Sequence, residues 1–138
     1  MRVLAVDYGD SRIGLAVSDM LGIIASPVGT VKSVGMRGDV DMLAAKAKEL
    51  NAEVIVLGLP LNMDGSEGER AEKTRKLGSV LNKVSGIEVS YMDERLTTVS
   101  AERTLDEAGM RWDKRKNVVD TISAQIILQT YLDKIKKQ

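Results

Sequence analysis

The chain has 138 residues, 20 basic and 20 acidic side chains, no cysteine, no histidine, and only one Trp and three Tyr as aromatics. The missing residue types exclude disulfides, thiolate or histidine-bound zinc, Ser-His-Asp triads and any histidine base, which leaves carboxylates, hydroxyls, Lys, Arg or an oxygen-bound metal for catalysis. Zero net charge argues against a strongly basic nucleic-acid module, the few aromatics against a stacking platform for single strands, and no apolar run approaches the roughly 20 residues of a membrane span.

The first element is an apolar run, Val3 to Val6, that ends in Asp7. A turn rich in Gly, Asp and Ser follows, then a second apolar run, Ile13 to Val17, which leads to Asp19. Two such runs around a short polar turn predict a β-hairpin. Apolar residues on both faces of the first run predict a central strand. A third strand is expected over Ala25 to Val34, with Pro27 near its start. Gly35 to Gly38 reads as a break. A helix is expected from Val40 to Leu50, with Asp39 as N-cap and Val40, Leu43, Ala47 and Leu50 inward.

Glu53 to Gly58 is a short, wholly apolar strand of the buried parallel kind. In the loop that follows, Ser66 and Glu69 have the spacing of a capping box. The second helix is expected to run to Val84, with Ala71, Thr74, Leu77, Leu81 and Val84 inward and Arg70, Lys73 and Lys76 on a solvated face. A fifth strand spans Ile87 to Met92 and leads into Asp93-Glu94-Arg95. A third helix is expected from Thr98 to Gly109. Met110 to Lys116 reads as a basic, irregular loop. A fourth helix is expected over Val118 to Lys134, capped by Asn117. No repeat or linker interrupts the pattern, so residues 1–138 are read as a single α/β domain with helices on both faces of the sheet.

Three carboxylate positions fall at element ends: Asp7 after strand one, Asp93 and Glu94 after strand five, and Asp120 in the first turn of the last helix. Parallel strands one and five would bring their ends to one rim, where ligand sites of open α/β sheets lie. Carboxylates meeting there repel one another unless a cation joins them, and hard divalent cations take such oxygens. Each acid also has a plainer reading. Asp7 can cap its own turn, Asp93-Glu94-Arg95 can be a surface ion-pair cluster, and Asp120 can serve the helix dipole. Position 120 nevertheless shares a helical face with Ala124, Ile127, Leu128 and Tyr131. Among the cations, Arg12 can meet a phosphate or pair with Asp10. The Arg111–Lys116 run, with Trp112 among its charges, can contact a nucleic-acid backbone or be a plain loop.

Four motifs, taken in order, resemble the YqgF (RuvX) family over Val3 to Leu132. They are Asp7-x-Gly9-x-x-Arg12-x-Gly14-x-Ala16-x-Ser18-Asp19, Gly58-Leu59-Pro60-x-x-Met63-x-Gly65, Asp93-Glu94-Arg95-x-Thr97-Thr98, and Val119-Asp120-x-x-x-Ala124. The resemblance implies a ribonuclease-H-like fold: a mixed five-stranded sheet in the order 3-2-1-4-5, with strands at 2–8, 11–19, 24–34, 53–58 and 87–92. It implies a metal-dependent nuclease that processes the 5′ end of pre-16S ribosomal RNA in the cytoplasm. Holliday-junction resolution of branched DNA, or a non-catalytic nucleotide- or RNA-binding module, are the alternatives. Asp7, Glu94 and Asp120 would bind Mg²⁺ or Mn²⁺. Arg12, Arg95, Lys114, Arg115 and Lys116 would contact nucleic acid, structured RNA first among its forms. No membrane partner and a monomer or weak homodimer are expected. Related folds usually carry an acid at the end of strand four; here that strand ends in Gly58-Leu59-Pro60, and the acids stand at strand five as Asp93 or Glu94.

Overall fold

The computed structural model describes the backbone over residues 1–95 and 112–136, and side chains over 1–95 and 122–135. Five strands, β1 (Val3–Tyr8), β2 (Arg12–Ser18), β3 (Ala25–Lys32), β4 (Val54–Leu59) and β5 (Glu88–Asp93), form one sheet in the order β3-β2-β1-β4-β5. β1 pairs antiparallel with β2 and parallel with β4; β2 with β3 is antiparallel, and β4 with β5 parallel. The predicted order and central β1 are what the structure has. Val3 to Val6 are fully buried because both faces of β1 are covered.

Helices α1 (Met36–Glu49) and α2 (Glu69–Ser85) cover one face, and α3 (Trp112–Lys136) covers the other. Leu4, Val6, Ile13, Leu15, Ile55 and Leu57 face α1 and α2. Val3, Ala5, Ala16, Val54 and Val56 meet Ala124, Ile127, Leu128 and Leu132 of α3. The strand alternation thus splits one sheet into two cores. Gln129 of α3 reaches Ile23 and Ala25 of the β2–β3 turn, whereas Ile127 lies against Gly58 at the end of β4. The N-terminal half of α3 therefore runs toward the rim formed by the C-terminal ends of β1, β4 and β5.

Several local expectations are corrected. α1 starts at Met36 after Gly35, and Asp39 is not its N-cap. Asp39 sits in the first turn, fully buried, and accepts hydrogen bonds from Val34 N (2.9 Å), Ser33 Oγ (2.5 Å) and Tyr8 Oη (3.0 Å). It ties the ends of β1 and β3 to the helix. Burial beside that carboxylate pushes the Tyr8 phenol up to about 12.

The Ser66–Glu69 capping box does not form. Gly68 is the N-cap of α2, and Ser66 instead donates to Asp64 (2.6 Å) within the loop, an Asx-type turn that competes with the cap. Val84 is 50% exposed, since the last turn of α2 overhangs the core. The basic segment expected as a loop is helical from Trp112, and Asn117 lies inside α3 instead of capping it. No Gly or Pro stands between Trp112 and Lys136 to stop the helix sooner. The helix expected over Thr98 to Gly109 falls outside the described residues.

Candidate active site

β1 delivers Asp7 to the rim, on the face that α3 covers: it follows Val3 and Ala5 in the strand alternation. Its register partner on β2 is Gly14, so no side chain stands beside it there. Gly9 makes the following turn possible by close approach, not by an unusual φ. Its N–H donates to the Arg12 carbonyl (2.9 Å), and a Cβ at Gly9 would lie 2.7 Å from that same oxygen.

Glu94 arrives from the other side. It follows β5, and its N–H donates to the Leu59 carbonyl (3.3 Å), which turns the chain back over the end of β4. Its carboxyl occupies the space that a side chain at position 58 would fill. A Cβ on Gly58 would collide with Glu94 Oε2 and stand 2.5 Å from Ile127 Cδ1. Gly58, next to last in β4, is what lets the acid that follows β5 take the place that a β4 acid would otherwise hold.

There the Glu94 carboxyl, when protonated, donates to Asp7. Burial first, then the Asp7 charge and this hydrogen bond, push Glu94 up to about 8, while the Arg70 guanidinium pulls the other way. Of the two candidate acids on β5, Glu94 faces Asp7. Asp93 turns outward, forming an ion pair with Arg95 (2.7 Å) that holds its carboxyl below the usual range.

Arg95 is engaged on both sides: it also donates to the Met63 carbonyl (3.4 Å) and so brackets the β4–α2 loop to the end of β5. Arg12 opens β2 beside the Asp7 turn. Asp10 lies 4.0 Å from Arg70. Asp120 belongs to the backbone of α3, two turns before Ile127, in the half that runs toward the rim. Its side chain, like those of Lys114, Arg115 and Lys116, lies outside the described ones. Among the described residues no group of three acids stands together. The oxygen-only donor set of Asp7 and Glu94 fits a hard divalent cation, whose charge would favour release of the proton that Glu94 holds near neutrality.

Sequence reasoning missed Arg70. Its side chain, 61% exposed, opens α2 at the rim and answers the charge of Asp10 and Glu94. The signal was its place in the first turn of a helix that follows a β4 loop, since such turns lie over the strand ends. One turn on, Lys73 lies over the Tyr8 ring, 5.4 Å from its centroid. Asp19 goes elsewhere. It accepts from Ile23 N (2.7 Å) and Ile24 N (3.3 Å) at the opposite end of the hairpin, so Asp7 and Asp19 do not form one site.

A ribonuclease-H-like sheet with paired carboxylates at the rim defines the nuclease class. Two solved structures share the fold: T. thermophilus RuvC in complex with Holliday junction substrate (TM-score 0.64, 12% identity, 100% of this chain and 97% of that one) and the fowlpox virus Holliday junction resolvase (TM-score 0.61, 13% identity, 98% and 99%). The model of the RuvX family, described as Holliday junction resolvase, matches residues 1–134, and this chain belongs to that family. A relative from Endomicrobium trichonymphae is 49% identical over 133 residues, covering 96% of this chain and 95% of its own length. One from Clostridioides difficile (strain 630) is 47% identical over 132 residues, covering 96% and 94%. Both are named "Putative pre-16S rRNA nuclease".

Proposed function

We propose that the chain, acting as one domain over residues 1–138, hydrolyses phosphodiester bonds in the 5′-end processing of pre-16S ribosomal RNA in the cytoplasm. Asp7, Glu94 and Asp120 hold Mg²⁺ or Mn²⁺ in this reading. The observation that carries it is the meeting of Asp7 and Glu94 over Gly58, at the rim where such sites lie. The names of relatives that match nearly the full chain support the RNA substrate.

A bound divalent cation supplies charge neutralisation and an activated water. The chain's own residues do the rest. Asp7 and Glu94 release their shared proton to become ligands. Gly14 leaves the β2 side of Asp7 free of a side chain, so that a phosphodiester can approach from there, while Gly58 gives Glu94 its room. Arg12, Arg95, Lys114, Arg115 and Lys116 meet the strand backbone, and the protein works as a monomer or weak homodimer. Among the described residues no helix is long and apolar enough to cross a membrane.

The family description favours one further reading, resolution of branched DNA. Incubation with structured RNA and with a four-way DNA junction, with Mg²⁺, Mn²⁺ or EDTA, separates the two. Metal-dependent cleavage of the RNA and not the junction is expected. Junction cleavage alone would replace the RNA reading, and no cleavage of either would remove both.

A further inference from the structure

Over β2 and β3 lies an open hollow of about 620 Å³ lined by Ser11, Arg12, Thr30, Val31 and Lys32. Arg12 and Lys32 are direct register partners across β2 and β3. The register therefore brings two cationic side chains to one place on the sheet, where a single anion can meet both. The hollow adds the hydroxyls of Ser11 and Thr30 as short-range donors.

Its position follows from the same ladder. Asp7 pairs with Gly14, and Gly14 pairs with Thr30, so these three positions form one row across the sheet. Arg12 is two residues from Gly14 along β2 and returns to the same face. Thr30 is two strands from Asp7, about 10 Å at the usual strand spacing, and the only position between them is a glycine. Within that row no sheet side chain stands between Asp7 and Thr30.

We infer that Lys32 and Arg12, with Ser11 and Thr30, form a backbone-phosphate subsite that holds the nucleic-acid strand next to the phosphodiester at Asp7 and Glu94. The assignment rests on the nuclease reading of those two acids. Phosphate chemistry is common to RNA and DNA, so both are probes. Lys32 is a positioning residue: it fixes the strand and does not touch the reacting atoms.

The test uses the full chain, a fluorescein-labelled RNA hairpin with a single-stranded tail, and a four-way DNA junction. Binding is followed by anisotropy in EDTA across a KCl series, so no turnover is needed. For whichever probe binds, Lys32→Gln should lower the log–log salt slope by about 0.7–0.9, the loss of one phosphate contact, and Lys32→Arg should keep it. Lys83→Gln, an exposed lysine in the last turn of α2 at the far end of the molecule, should leave the slope unchanged. In the cleavage assay Lys32→Gln should raise KM with little change in kcat. An unchanged slope for Lys32→Gln, an equal loss for Lys83→Gln, or no measurable binding of either probe overturns the subsite. No cleavage by the wild-type chain, with the slopes as expected, would remove the nuclease reading and with it the placement beside a scissile bond, leaving Lys32 in a phosphate-binding site alone.

Discussion

At the scale of the residue, Glu94 carries the sharpest consequence. Its folded-state value, about 8, lies above the ordinary 4.5, because the buried carboxyl faces Asp7. The folded chain therefore binds this proton more tightly than the unfolded chain does. The resulting stability is fully present below about pH 4.5 and is lost as pH rises through about 8. In EDTA, Glu94→Gln should remove this loss and make the protein more stable than wild type at pH 8, on the order of 3 kcal/mol, while abolishing cleavage. Urea denaturation of both proteins at pH 5 and pH 8 measures it. A mutant that is less stable than wild type at pH 8 would make Glu94 a structural acid. Gly58 is the companion residue. Gly58→Ala drives a methyl into Glu94 and Ile127. It should cost about 1–3 kcal/mol through overpacking and reduce cleavage by more than its fall in Tm explains. Full activity would show that Glu94 does not need that space.

At the scale of the element, Asp39 shows where pattern reading stops. Its place before an apolar helical face suits an N-cap, but α1 begins earlier, and the carboxylate turns inward to Tyr8, Ser33 and Val34. Ser33 and Val34 lie just before the helix, but Tyr8 comes from β1, far outside any local window. Asp39→Ala should cost roughly 3 kcal/mol by leaving buried donors unpaired, and Tyr8→Phe only about 1 kcal/mol; thermal melts of both check this. Similar costs for the two would mean that Tyr8 carries most of the network. The strands were legible because burial of both faces writes an unbroken apolar run, as in Val54 to Leu57. The carboxylate pair was legible in part. Strand ends could be located from residues, but the choice of Glu94 over Asp93 depended on which one Gly58 admits and which one Arg95 takes. The start of α3 was misread because charge clusters look like loops, whereas a helix needs only the absence of a breaker.

At the scale of the whole molecule, the sheet does not secure the two acids equally. Asp7 hangs from β1, the central strand, whose apolar residues are fully buried. Glu94 hangs from β5, an edge strand that is paired on one side only and exposed at both of its ends. Its attachments are the β4 ladder, the packing of Val89 and Tyr91 against the α1–α2 core, and the Arg95 bracket to Met63. Edge segments open at a lower free energy than the core does. If Glu94 is a ligand, function should then be lost piecemeal, before the fold is. In a urea series, cleavage should decline at concentrations where far-UV circular dichroism still reports a native chain, and amide hydrogens of β5 should exchange ahead of those of β1. Coincident loss of activity and of fold would mean that β5 opens only with the whole sheet. With Glu94 as a ligand, catalytic lifetime would be set by an edge strand and not by the core, and a stabilising change at that edge should prolong activity without raising the melting temperature.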